Sequence, residues 1–440
     1  MFFRKMLNRY KVYYNIVCIS FWCVACGGIV AEDILHVDAV KEIVRLLFDV
    51  VMLVIGVSVL QDRRDKIIFW SLVALSVVSS ILLNHLGIIT TLNGFRGFIG
   101  LACCAPVIRW LYNNSPDHDF FTSINRQLYV FLWLQVPAIT WQYIKYGMAF
   151  DGGGGTLGYG YSGTISTIIY FLSFYFMIQR WDKEISYWQN LKANWVLVFL
   201  LYPSFLNETK VSFIYLLLYF VLLLPLRKKD TLRIIAATPL VMVLMIVVGY
   251  IYLNITNQNL EDTFGEEALD VYLGGGEDLD RYIDLAQMLQ DGEFDNTELW
   301  AEDIPRFAKI ARVGDILKDT KGKWIFGGGL GHFKGGTTLA ETQLRKKWKW
   351  LIQGTVPFTV YLVMQLGLLG FIWFIADVLT LTPFKRMSDF QWKHLMVFFT
   401  AIWIIQLMYS DYFNMALTCF VLFIPLLAAT LQHSKIEDPE

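Results

Sequence analysis

Residues 311–333 read ARVGDILKDTKGKWIFGGGLGHF. The stretch sits in the one long hydrophilic interruption, from about Asn254 to Trp350, of a chain that is otherwise apolar. Of 440 residues, 56% are hydrophobic and 17% charged, and the mean hydropathy is +0.47. Apolar runs of about 17–25 residues recur, the length a helix needs to cross a hydrocarbon core. We place spans near 13–31, 44–60, 67–86, 95–111, 127–144, 163–180, 193–207, 211–226, 232–253, 352–379, 394–410 and 412–431. The expectation is an all-α polytopic membrane protein, one domain over 1–440, with about twelve transmembrane helices. The hydrophilic segment 254–351 is then a loop between spans 9 and 10.

Charge decides the side on which that loop lies. Alternate connections carry Arg63, Arg64 and Lys66; Arg109 and Arg126; Arg180, Lys183 and Lys192; Arg227, Lys228, Lys229 and Arg233; and Lys385, Arg386 and Lys393. With the N-terminal Arg4, Lys5, Arg9 and Lys11, and with Lys435, they hold roughly twenty of the 37 Lys and Arg. The other short connections hold only Lys41, Arg45, Arg96, Lys145 and Lys210. The positive-inside rule makes the first set cytoplasmic, both termini with it, and the long loop external. No small-residue cleavage site follows the N-terminal cluster, so the first span reads as an uncleaved signal anchor.

The loop is itself divided. Its first half is acidic, from Glu261 to Asp280, and its second half is basic and aromatic, with Lys318, Lys323, Trp324, Arg345, Trp348 and Trp350. Apolar residues recur at helical spacing over Leu279–Leu289 and Ile304–Leu317, which predicts a small helical cap.

Several chemistries find no footing. A net charge of −1 and a pI of about 6.6 leave no nucleic-acid footprint. The six cysteines all lie in apolar spans, and the Cys23–Cys26 CxxC pair reads as packing rather than a redox or zinc site. No His and Cys cluster with metal-ligand spacing occurs, and no cofactor is implied. Asp117-His-Asp119 and Asp278-Leu-Asp280 spell D-x-D, a tripeptide that arises often by chance; the first lies in a connection too short for a nucleotide-binding sheet domain, the second in the external loop. The cluster Gly327, Gly328, Gly329, Gly331 lacks the Lys-Ser/Thr of a P-loop.

What remains is basic. Lys210, after Asn207-Glu208-Thr209, is a snorkelling anchor paired on the surface or a phosphate ligand facing a cavity. Arg312 is a solvated helix residue or a guanidinium that grips a phosphate with two parallel hydrogen bonds. The glycine amides that follow are suited to cradling the same anion. His332 is a solvated loop residue or a base. Arg306 and Arg281 are further cations of the loop.

In combination these features resemble the O-antigen polymerase/ligase superfamily of bacterial inner membranes. That family often shows Thr/Ser-Arg at a span start, where Thr209-Lys210 stands here. It carries a loop Arg about fifteen residues before a Gly-x-Gly-x-Gly stretch, matched by Arg312 and Gly327 to Gly331. After the loop it resumes with E-x-G-x-x-G, to which Gln365-Leu-Gly367-Leu-Leu-Gly370 is similar, with Gln for Glu. Ligases place His-Asn about nine residues before that Glu; Val356-Pro357 stands there instead, which favours the polymerase branch. Lys210 keeps the family's charge and loses its bidentate fork.

The resemblance implies a metal-independent glycosyltransferase that joins undecaprenyl-diphosphate-linked repeat units into O-antigen, capsule or exopolysaccharide. Its partners are the lipid-linked donor and acceptor, membrane lipid and a chain-length regulator protein. On this reading Arg312 and Lys210 hold the leaving diphosphate, Glu208 is the nearest base, and Glu32 or Asp33 after the first span are alternatives. Arg306, Arg281, Gly327, Gly328, Gly329, Gly331 and His332 line the substrate, and Trp348 and Trp350 stack sugars or belong to the interfacial aromatic belt. The competing readings are an O-antigen ligase, a lipid-linked oligosaccharide flippase or transporter, and another lipid-sugar-dependent glycosyltransferase that adds one sugar rather than polymerising.

Overall fold

The computed structural model describes residues 2–147, 152–182, 184–207, 211–224, 306–333, 342–352, 356–381, 390–410 and 412–433. Of these about 85% are helical and none is in a strand. Water is absent from a hydrocarbon core, so backbone groups there must pair within the segment, and a helix is the one open-ended solution.

α1 spans Phe2–Ile29 and runs on as a π-helical turn, Val30–Leu35. α2 (Asp38–Val59) returns, and α3 (Arg63–Ser76) ends in a second π-helical turn, Val77–Leu83. α4 (Ile88–Phe95) joins α5 (Ile99–Asn114) through the 3-10 turn Arg96–Phe98. α6 (Phe120–Tyr146), α7 (Ser162–Gln179), α8 (Tyr187–Ala193), α9 (Trp195–Phe199), α10 (Tyr202–Leu206) and α11 (Val211–Leu222) follow. Beyond residue 305 come α12 (Arg306–Lys318), α13 (Lys323–Phe326), α14 (Gln343–Ile352), α15 (Phe358–Leu381), α16 (Phe390–Tyr409) and α17 (Ala416–His433).

Six described helices are long and apolar enough to cross a membrane: Asn8–Leu35, Arg63–Leu83, Ile88–Asn114, Ser162–Gln179, Phe358–Leu381 and Trp392–Tyr409. Shorter apolar helices cover Trp195–Leu206, Val211–Leu222 and Ala416–Gln432. α2 and α6, with 22 and 27 residues, have the length, but α2 carries Lys41, Glu42, Arg45 and Asp49. The span expected near 193–207 is two short helices with a break between Phe199 and Tyr202. The span expected near 232–253 lies outside the described residues.

α7 is buried along nearly its whole length, as a helix apolar all round must be, and packs on α11, α16 and α17. α5 lies against α2 and α17, where small residues allow close approach: Gly56 faces Cys103, and Gly100 faces Ala416 and Cys419. Cys103, Cys104 and Cys419 are buried packing residues, and all six cysteines are free thiols.

Contacts sort the connections into two ends. Asn84 reaches Gly327, Gly94 meets Gly331, Gly158 meets Glu32, and Gly163 meets Tyr412; we call this the loop end. At the opposite end Arg9 bonds the Ser58 carbonyl, Arg109 pairs with Asp65, and Arg180 lies over Tyr129.

Candidate functional site

The helix expected over Ile304–Leu317 is α12. Its Val313, Ile316 and Leu317 are buried with Val360, Val363 and Met364 of α15, with Phe333 and with Leu351 of α14. Arg312 and Asp315 lie on the half-exposed side, with Nη1 3.2 Å from Oδ2. Asp315 also accepts from Lys318 Nζ at 2.7 Å. The Lys318 bond and then the Arg312 bond hold the Asp315 carboxyl below its usual range.

Below α12 the chain uses a broken helix. Gly367 (φ 66°, ψ −162°) leaves helical geometry inside α15. A break orphans the carbonyls of the preceding turn, and inside a membrane protein they need other donors. The glycine stretch supplies them: Gly328 N donates to Met364 O at 2.7 Å and Gly329 N to Gln365 O at 2.9 Å. Gly331 N donates to Gln365 Oε1 at 3.2 Å.

The π-helical turn of α3 completes the cradle. Ser79 Oγ donates to the Phe326 carbonyl and, at 3.1 Å, to Gln365 O. Leu330 N donates to Ser80 Oγ at 2.8 Å, and Asn84 Nδ2 to Gly327 O at 3.1 Å. π-Turns place side chains where a regular helix does not.

Close approach requires glycine here. A Cβ on Gly331, whose φ is +84°, would lie 2.1 Å from Thr90 O, and one on Gly367 would lie 2.3 Å from Ile325 O. Gly327 N donates to Lys323 O, so the amides of 327 to 331 all donate within the protein. They are not left to cradle an anion; what Gly327, Gly328, Gly329 and Gly331 provide is a backbone thin enough to seal the break.

His332 follows at the edge of this unit. Its Nδ1 lies 2.8 Å from the Gly328 carbonyl, an acceptor, so Nδ1 carries the proton and Nε2 the lone pair. Burial lowers the His332 pKa below its ordinary 6.5, against the raising effect of the Gly328 bond. The imidazole is thereby held neutral at working pH. Thr342 Oγ1 donates to the His332 carbonyl and Arg345 Nη1 to the Phe333 carbonyl, both at 2.6 Å.

Other expected residues fall elsewhere. Glu208, Lys210 and Arg281 lie outside the described residues, as does the Leu279–Leu289 segment. Asn207, just before Glu208, is buried beside Gln142 and Gly153 at the loop end. Arg306 opens α12, and its side chain is not among those described. Glu32 is closed on Lys41 and the Tyr159 amide, and Asp33 on Lys145 (2.6 Å) and Tyr146 (3.0 Å), so each is already paired within the protein. Trp348 Nε1 donates to Asp319 Oδ2 at 2.7 Å, which ties that ring to the C-terminal end of α12.

Two features of the loop end escape sequence reasoning. Residues 152–160 form a glycine-rich loop clamped by two buried glutamines: Gly155 N donates to Gln142 Oε1 at 2.8 Å and Thr156 N to Gln135 Oε1 at 3.1 Å. The sparse cations Lys41, Arg45 and Arg96 gather with Glu32, Glu42, Asp49 and the Tyr161 ring. The signal available for that cluster is ionised residues near the head of an apolar span. Among the described residues no group of three His, Cys, Asp or Glu converges on a metal position. Comparison with models of protein families finds no match to this chain, and comparison with curated proteins finds none.

Proposed function

We propose that the chain is a membrane glycosyltransferase that polymerises polyprenyl-diphosphate-linked oligosaccharide repeat units at the outer face of a bacterial inner membrane. On this reading the loop end is external, both termini are cytoplasmic, and the bundle has about twelve spans. The observation that carries it is the broken-helix unit. The Arg312–Gly331 stretch and the Gln365–Gly370 stretch, the two parts of the chain that most resemble the polymerase/ligase superfamily, are hydrogen-bonded to each other. That contact supports treating them as one site rather than two chance motifs.

The chemistry needs a place for developing negative charge. The acceptor hydroxyl oxygen bonds to the anomeric carbon of the donor sugar, and the bond from that carbon to the diphosphate oxygen breaks. The hydroxyl proton passes to a base, and polyprenyl diphosphate leaves with the electron pair. Arg312 and Lys210 offer positive charge to that leaving group. Removing one preorganised group of this kind costs about 3–4 kcal/mol in barrier. Two bases are available in the reading: Glu208, beside Lys210 in sequence, and His332, whose Nε2 holds the lone pair.

Electrophoresis of surface glycan from a deletion strain tests the proposal. A polymerase predicts loss of the length ladder with a single repeat retained. Capped glycan lost while polymer accumulates on the lipid carrier would indicate a ligase. Repeat units trapped on the cytoplasmic side would indicate a flippase and sink the enzyme reading.

A further inference from the structure

α2 and the Arg96–Phe98 turn bring three cations together at the loop end, and the reaction scheme above uses none of them. Lys41 is closed on Glu32 and Arg96 on Asp49, carboxylates whose side chains are only 12% and 11% exposed. Both carboxylates are sealed in the protein, and Asp49 engages Arg96 through Nε, whereas Nη2 is the atom that approaches Glu42. Glu42 is different: its side chain is 60% exposed, yet it sits between two guanidiniums. Arg45 Nη1 lies 2.8 Å from Glu42 Oε1, and Arg96 Nη2 lies 3.9 Å from Oε2.

Arg45 is held from behind as well. Its guanidinium carbon lies 4.2 Å from the centre of the Tyr161 ring, a cation–π contact that orients the fork. Two partly buried arginines therefore converge on one solvent-facing anion position, which a single carboxylate fills. A diphosphate group brings more charge and more acceptor oxygens to the same place, and arginine matches it bidentately. The position also adjoins the broken-helix unit. Gly94, two residues before Arg96, lies against the Gly331 amide, so that a Cβ there would be 2.1 Å from Gly331 N. The Arg96–Phe98 turn packs on the Tyr412–Asn414 turn.

We propose that Arg45 and Arg96 form a binding site for a diphosphate group, with Glu42 as the resident carboxylate that swings out to admit it. The polymerisation described above has two diphosphate-bearing substrates. Arg312 and Lys210 serve the one whose diphosphate leaves; this site holds the other, whose diphosphate stays intact. It rests on that reading only for the group being borne on a lipid.

Isothermal titration calorimetry on the full chain in detergent tests the site without any turnover. The probes are farnesyl diphosphate, inorganic pyrophosphate and farnesol, each titrated into the wild-type and Arg312→Ala backgrounds. Glu42→Gln removes the carboxylate that competes for both guanidiniums and should tighten diphosphate binding roughly threefold or more, a gain that misfolding cannot mimic. Arg45→Gln should weaken it about tenfold. Arg96→Gln is not used, because Arg96 is also the ion-pair partner of the buried Asp49. Farnesyl diphosphate binding more tightly than pyrophosphate names a lipid-borne source, and equal affinities name a free diphosphate; with the variant responses, both support the site. Arg45→Gln binding like the wild type, Glu42→Gln weakening binding, or farnesol matching farnesyl diphosphate would each overturn it. A chain that binds in this way but forms no polymer sinks the polymerase reading and leaves the site standing.

Discussion

Arg312 is paired with the Asp315 carboxylate, which the phosphate of the proposed substrate would have to displace. The Arg312–Asp315 pair is half exposed, and Asp315 keeps Lys318 when Arg312 lets go. Surface pairs of this kind contribute about 1 kcal/mol or less to stability. Arg312→Ala should therefore abolish polymer while protein level and melting temperature stay near wild type; a normal glycan ladder from that variant refutes the assignment. His332 gives a second residue-scale expectation. Burial lowers its pKa, so its neutral form persists somewhat below pH 6.5, and falling pH through the lowered value protonates Nε2 and removes the lone pair. If His332 is the base, polymerising activity falls on that acid limb, and His332→Gln removes the limb together with most activity. An acid limb unchanged in the variant assigns the proton to another group. Residue type and order made Arg312 and His332 legible as candidates. The pairing of Glu32 with the Tyr159 amide, 127 residues away, was not, because a carboxylate's partner depends on folding rather than on neighbours in sequence.

At the scale of the element, the broken α15 and the glycine stretch form one unit whose backbones touch. Gly331→Ala forces both a left-handed φ and a clash with Thr90 O, so it should destabilise the chain by more than about 2 kcal/mol. Gly87→Ala has open space and no positive φ and should be nearly neutral. Thermal denaturation of the two variants side by side checks this, and equal melting temperatures would contradict the packing described. Periodicity made α12 legible, because Val313, Ile316 and Leu317 fall on one face. The break at Gly367 was not legible. A glycine inside an apolar span is ordinary, and what turns it into a break is the amides of Gly328 and Gly329, which come from a separate segment. The π-helical turns at Val30–Leu35 and Val77–Leu83 were equally hidden, since no local residue type demands them.

For the whole molecule, alternating basic connections predicted the same sorting of ends that the contacts draw, with Arg9, Arg109 and Arg180 away from the loop end. The charge pattern works at this scale because it depends on counts rather than on contacts. The side of the membrane is testable with single cysteines in a chain whose six native thiols are replaced by alanine. Lys318→Cys, at a side chain 74% exposed, should react with a membrane-impermeant maleimide in intact cells, and Gln179→Cys at the opposite end should react only after lysis. The reverse pattern inverts the topology and removes the external site. Polymerisation from a lipid-linked donor is the activity proposed for the chain. Its most direct measurement is reconstitution of the purified chain in liposomes with lipid-linked repeat units extracted from the deletion strain. A polymerase yields a ladder of lengthening glycan with release of polyprenyl diphosphate, and the Arg312→Ala chain yields no ladder. Repeat units that remain single beside the folded wild-type protein would contradict the proposed activity.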